Sequence, residues 1–172
     1  MASLIDSLIE VLENISTEYE NLLGLSMKKT PVIVAGDLNQ MAVITDGEQL
    51  IVSKINKLDT QMQKTLKEIA DVINTDVSEL DLKAIIGFMG PKPVEQQKLA
   101  IVHDKLKSVV LQVARINDQN GELIKDALEM VQFEMNILQA TKAAPETANY
   151  DKSAYNSGSV IGVAAKGFDA RQ

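Results

Sequence analysis

Residues 99–130 read LAIVHDKLKSVVLQVARINDQNGELIKDALEM. Leu99, Val102, Leu106, Val109, Val113, Ile116, Asn120, Leu123, Ala127 and Met130 succeed one another in alternating steps of three and four. That is heptad spacing, which sets one stripe of a helix against partner helices. After Met130 the stripe drifts to Val131, Met135 and Leu138. The pattern predicts one helix from Val94 to about Thr141, roughly 70 Å long at the α-helical rise. A helix of that length with a one-sided seam needs partners along it, so the fold turns on whether the rest of the chain supplies them.

The chain does supply them. In residues 3–29, Leu4, Leu8, Val11, Ile15, Tyr19 and Leu22 form one helix face, which Ile5, Leu12 and Leu23 broaden to core width. Lys28, Lys29, Thr30 and Pro31 interrupt it, and the helix either kinks there or ends. A second helix opens at Asp37, whose spacing to Gln40 is that of a capping box. Leu38, Met41, Ile44, Ile51, Ile55, Leu58, Met62, Leu66, Ile69 and Ile73 carry its stripe to about Asn74. Gly47 is its weak point, about 1 kcal/mol worse than Ala. Asp76 and Glu79 cap a short connector helix that Gly87, Gly90, Pro91 and Pro93 end. Its Leu80, Leu82, Ile85, Ile86 and Phe88 are expected to cover one end of the bundle.

These readings give an all-α fold, an elongated antiparallel bundle or coiled coil of three long helices plus a short connector helix. Helices are expected at about 3–29 or 3–35, 38–74, 79–88 and 94–141. The bundle spans 1–141, and a flexible, irregular tail rich in Gly, Ser and Ala spans 142–172.

Composition narrows the function. Apolar residues make up 45% of the 172, enough for a core, while aromatics are only 3%, as helical cores built from Leu, Ile, Val, Met and Ala allow. With no Cys and one His, thiolate and His-rich metal sites and a Ser–His triad with a spare have no basis. His103 flanks the seam and reads as a solvated side chain. The segment GFMGPKP lacks the Lys-Ser/Thr ending of a phosphate loop. Asp37, Asp46 and Glu48 read as a solvated acidic face. No nucleophile–base pair or carboxylate dyad emerges, so no enzyme, cofactor or metal is expected. The net charge is −7, of which the tail from Lys142 contributes +1, leaving a body of −8. Such a body disfavours nucleic acid. The acidic, amphipathic N-terminus is not a signal peptide and no stretch has the length of a membrane span, so a cytoplasmic, soluble protein is expected.

The chemistry to look for is therefore binding. Asn120 lies on the seam, with Asn117 one turn earlier and Gly121 next. Asn-Gly signals a turn, but the heptad phase runs on through it to Leu123 and Ala127. A buried Asn120 either sets helix register or contacts a partner, and Gly121 would let another backbone approach. The methionines read mainly as core, with Met130 and Met135 placed to adapt to a variable partner. Further on, the tail carries apolar anchors, including Tyr150, Tyr155 and Phe168, on a segment too Gly-rich to bury them itself.

Three stretches together resemble the FlgN family of flagellar export chaperones. LIEVLENISTEYENLLGLSMKK followed by GDLNQMAVITDGEQLIVSKINKLDTQM is similar to the family's first two helices. INDQNGELIKDAL is similar to its last-helix pattern, here Asn117, Asn120, Leu123 and Ile124, and the Tyr/Gly-rich tail ends on the family-like FDARQ. The chain departs from the pattern at Gly24, Pro31 and Gly47 and in the apolar VIGVAA. The resemblance implies a cytoplasmic chaperone without catalysis or cofactor. It would bind C-terminal segments of the hook-associated (hook–filament junction) proteins, prevent their premature assembly and deliver them to the flagellar type III export apparatus. The expected groove on the last helix comprises Leu123, Ile124, Leu128, Val131, Met135 and Leu138, with the tail anchors folding onto it or onto the client. Two rival readings remain, a self-associating coiled-coil spacer and an adaptor of another secretion system. A weak homo-oligomer is compatible with the chaperone reading. Membrane-surface binding has no basic amphipathic face to rest on.

Overall fold

A computed structural model describes residues 2–77, 80, 82–89 and 93–143. The fold is all-α, with no strand among the described residues. Four helices follow in order: α1 (Ala2–Ala35), α2 (Leu38–Ile73), α3 (Leu82–Phe88) and α4 (Pro93–Ala143). The chain divides into two units, Met1–Val131 and Gln132–Gln172. In the second, the described residues 132–143 are helical, and those from 132 to 142 are exposed. The tail anchors Tyr150, Tyr155 and Phe168 lie outside the described residues.

In the first unit α1 and α2 form an antiparallel hairpin. Its turn is set by Gly36, whose φ of 68° is a left-handed conformation that Gly adopts without a Cβ penalty. The Gly36 amide donates to the Ile33 carbonyl at 3.0 Å and the Asp37 amide to the Val32 carbonyl at 3.2 Å, the paired bonds of a Schellman end. Asp37 then accepts from the Gln40 amide at 3.0 Å and caps α2. One residue thus closes α1 and opens α2. The far end of α2 closes in the same manner, with Asn74 at φ 55° and the Thr75 amide donating to the Ala70 carbonyl at 3.1 Å.

The main core sits where the start of α1, the end of α2, α3 and the start of α4 meet. Ile5, Leu8 and Leu12 pack there with Ile69, Ile85, Leu99 and Val102. The connector residues Leu80 and Ile86 join them, closing that end. A smaller cluster of Leu22, Ile55 and Val113 lies further along. These contacts fix the directions. Low numbers of α1 meet high numbers of α2, whereas α4 numbers rise together with those of α1. So α4 runs parallel to α1 and antiparallel to α2, as a return through a short connector requires.

Several sequence readings can be compared with the helices themselves. Of the two alternatives at Pro31, helix α1 does not end there but continues to Ala35. Ile33, two residues beyond Pro31, is buried, and burying it contributes about 1.5–3 kcal/mol, an offset to the helix penalty of proline. Helix α4 passes through Asn120–Gly121 without a turn. No neighbour lies within 4 Å of where a Gly121 Cβ would stand, so no backbone approaches there among the described residues. Leu38 is exposed rather than packed, because it is the first residue of α2 at the open hairpin end. Met27 is exposed as well, not core.

Candidate functional site

The seam on α4 defines two regions of different character. From Leu99 to Val113 its residues are buried or half-buried against α1 and α2. At Asn120 the core turns polar. Asn120 is 4% exposed and Ser26 fully buried. The Asn120 Nδ2 donates to the Ser26 carbonyl at 2.8 Å, and the Thr30 Oγ1 donates to Asn120 Oδ1 at 2.7 Å. Ser26 Oγ donates to Glu48 Oε1 at 3.0 Å, and Lys29 Nζ donates to Glu48 Oε2 at 2.8 Å. Five side chains thereby join α1, α2 and α4 in one layer. Both ends of the Asn120 amide are committed inside it, the arrangement expected of a seam Asn that sets helix register. Glu48 is correspondingly not part of a solvated face. Its side chain is 14% exposed and serves as the α2 end of the layer.

Sequence reasoning missed Ser26, Thr30 and Glu48, although a signal was present. Stepping on from Leu22, the α1 stripe reaches Ser26, Thr30 and Ile33. Polar residues at stripe positions of two helices that run parallel are candidates to meet.

Past this layer the seam opens. Asn117 is exposed, Leu123 and Ile124 are half-buried, and Ala127, Leu128, Met130 and Val131 are exposed. The cause is geometric. Thr30 is level with Asn120, and α1 ends at Ala35. In the first unit α4 therefore continues about 9 Å beyond the end of α1 at the α-helical rise. In the second unit Phe133, Met135, Ile137 and Leu138 are exposed too. At 100° per residue, Leu123, Ala127, Val131, Ile124 and Leu128 of the first unit span about 140° of the helix circumference. That is the width of a core-facing stripe, not of a solvated helix with scattered apolar residues. Single exposed apolar residues are ordinary, whereas a contiguous stripe of them on one helix face is not.

Among the described residues the chain is an all-α bundle whose last helix carries an exposed apolar face. Comparison with known families makes this specific: the model described as FlgN protein matches residues 1–158, and the chain belongs to the FlgN family. That family is one of chaperones rather than enzymes, and membership points to a flagellar export chaperone. A curated relative from Bacillus subtilis (strain 168), "Uncharacterized protein YvyG", is 23% identical over 147 residues, 86% of this chain and 86% of its own. No solved structure matches the chain. None of the helices among the described residues is long and apolar enough to cross a membrane.

Proposed function

We propose that the protein is a cytoplasmic chaperone that binds C-terminal segments of the hook–filament junction proteins. It holds them back from assembly and delivers them to the flagellar type III export apparatus. Family membership supports the chaperone role. The observation that carries the client-binding site is the run of exposed apolar residues on α4 after Asn120. An amphipathic client helix docks there through anchors at i, i+3, i+4 and i+7. Leu123, Ile124, Leu128 and Val131 receive one part of it, and Met135 and Leu138 the next. Tyr150, Tyr155 and Phe168 of the tail add contacts to the bound client, and a modest affinity suits release for export. Asn120 serves by fixing where the bundle ends, not by touching the client.

Calorimetric titration tests this reading. The titrants are peptides from the C-termini of the same organism's two junction proteins, with a flagellin C-terminal peptide as control. Micromolar or tighter binding to the first two, with a negative heat-capacity change, is expected. Leu128→Asp is expected to weaken it at least tenfold without lowering the melting temperature, since Leu128 is exposed. Absence of binding, together with a stable oligomer by light scattering at low micromolar concentration, would instead identify a self-associating spacer.

A further inference from the structure

The end of the first unit that carries the α1–α2 turn exposes more apolar surface than α4 alone. Val34, in the last turn of α1, is 72% exposed, and Leu38, the first residue of α2, is 74% exposed. They are the two most exposed of the large apolar side chains described. Three residues separate them, and those residues form the Schellman turn. The polar layer sets their height relative to α4. Thr30 and Asn120 are hydrogen-bonded, and α1 and α4 run parallel. Val34, about 6 Å past Thr30, is thus level with α4 residues near Ile124, and the turn is level with Leu128. Ala127 and Val131 lie on the side of α4 that faces α1 and α2 lower down. Here, past the polar layer, both are exposed. Nothing about the fold requires large aliphatic residues at Val34 or Leu38. Neither packs in the core, and the capping of the turn uses Gly36 and Asp37 alone.

The same region is acidic. Residues 26–48 and 118–131 carry three lysines against seven carboxylates, more than half of the chain's net charge of −7. An apolar surface with an acidic surround selects a helix with an apolar stripe and basic flanks.

We infer that the α1–α2 turn is part of the client site: Val34 and Leu38, together with Leu128 and Val131, bind an amphipathic, basic-flanked helix of the exported partner. This rests on the chaperone reading above and extends it from one helix to a surface built by three. The client helix crosses the turn and leans against α4, so the polar layer beneath, by holding α1 and α4 in register, positions both halves of the site.

The test repeats the junction-protein peptide titration with three variants. The double variant Val34→Lys and Leu38→Lys removes the apolar contacts and adds charge of the wrong sign for a basic partner. Leu128→Asp reports on α4. Leu111→Lys, at an exposed α4 position beside the smaller core cluster, is the control. The double variant is expected to weaken binding at least tenfold with an unchanged melting temperature, and Leu111→Lys to leave it within twofold. Wild-type affinity is expected to fall several-fold between low and physiological salt. If the double variant binds as wild type while Leu128→Asp does not, the turn plays no part and the α4 reading survives. If both bind as wild type, or no peptide binds wild type, both readings fall. An affinity that salt leaves unmoved would overturn the basic-flanked partner. If the double variant dissolves a wild-type dimer instead, the occupant is a second copy and the inference is wrong.

Discussion

Ser16 and Asn120 are buried to nearly the same degree, and they treat their polar atoms in opposite ways. The Ser16 hydroxyl has no hydrogen-bond partner among the described residues, whereas both ends of the Asn120 amide are paired. A buried unpaired hydroxyl is a liability, so Ser16→Ala should stabilise the protein by about 1 kcal/mol, with better helix propensity adding to it. Asn120→Ala should do the reverse. It deletes two buried hydrogen bonds and leaves a void, at about 1–3 kcal/mol. Part of the loss is recoverable, because the Thr30 hydroxyl is 3.5 Å from the Ser26 carbonyl and can turn to it. Urea denaturation of both variants checks these signs. A double-mutant cycle with Thr30→Val isolates the Asn120–Thr30 pair, and a coupling below about 0.5 kcal/mol would mean the layer is not cooperative. None of this pairing was legible in the sequence beyond the polar positions themselves. Which donor meets which acceptor depends on helix register, and register is a property of three helices together.

At the scale of the element, two glycines make opposite predictions. Gly36 holds a positive φ at the hairpin turn, so Gly36→Ala strains the backbone and should destabilise by about 1 kcal/mol. Gly121 is in ordinary helix with open space where its Cβ would stand, so Gly121→Ala should stabilise by roughly 0.5–1 kcal/mol. Thermal unfolding of the pair should shift in opposite directions. The same contrast explains what the sequence disclosed. The α4 seam, the α2 stripe and the Asp37 cap were legible because each depends on spacing within one segment. Continuity through Pro31 was only one of two alternatives, because local propensity opposes it while the burial of Ile33 and the Schellman bonds on the far side favour it. Restoring the lost amide with Pro31→Ala should therefore stabilise α1, by up to about 3 kcal/mol less the gain in unfolded-chain entropy.

For the molecule as a whole, stability should be graded along α4, and hydrogen exchange should resolve the gradient. Leu99 is wholly buried in the four-helix cluster, and Val102, Val109 and Val113 are nearly so. No described side chain from Lys125 to Lys142 is buried or even half-buried. Amides around 99–113 should then exchange only through global unfolding, while those from 125 to 142 open locally, held by helix hydrogen bonds without packing behind them. The sequence hinted at a looser seam here through its drift after Met130, but not at how far the exposure extends, since a heptad stripe reads alike whether or not a partner faces it. Adding the junction-protein peptide should raise protection at Leu123–Leu138 and around Val34–Leu38, and leave 99–113 unchanged. If 125–142 already exchange as slowly as 99–113 in the free protein, and this protection fades on dilution, a second copy covers the face. The apolar stripe would then be an oligomer interface, and the client would have to bind elsewhere or displace it.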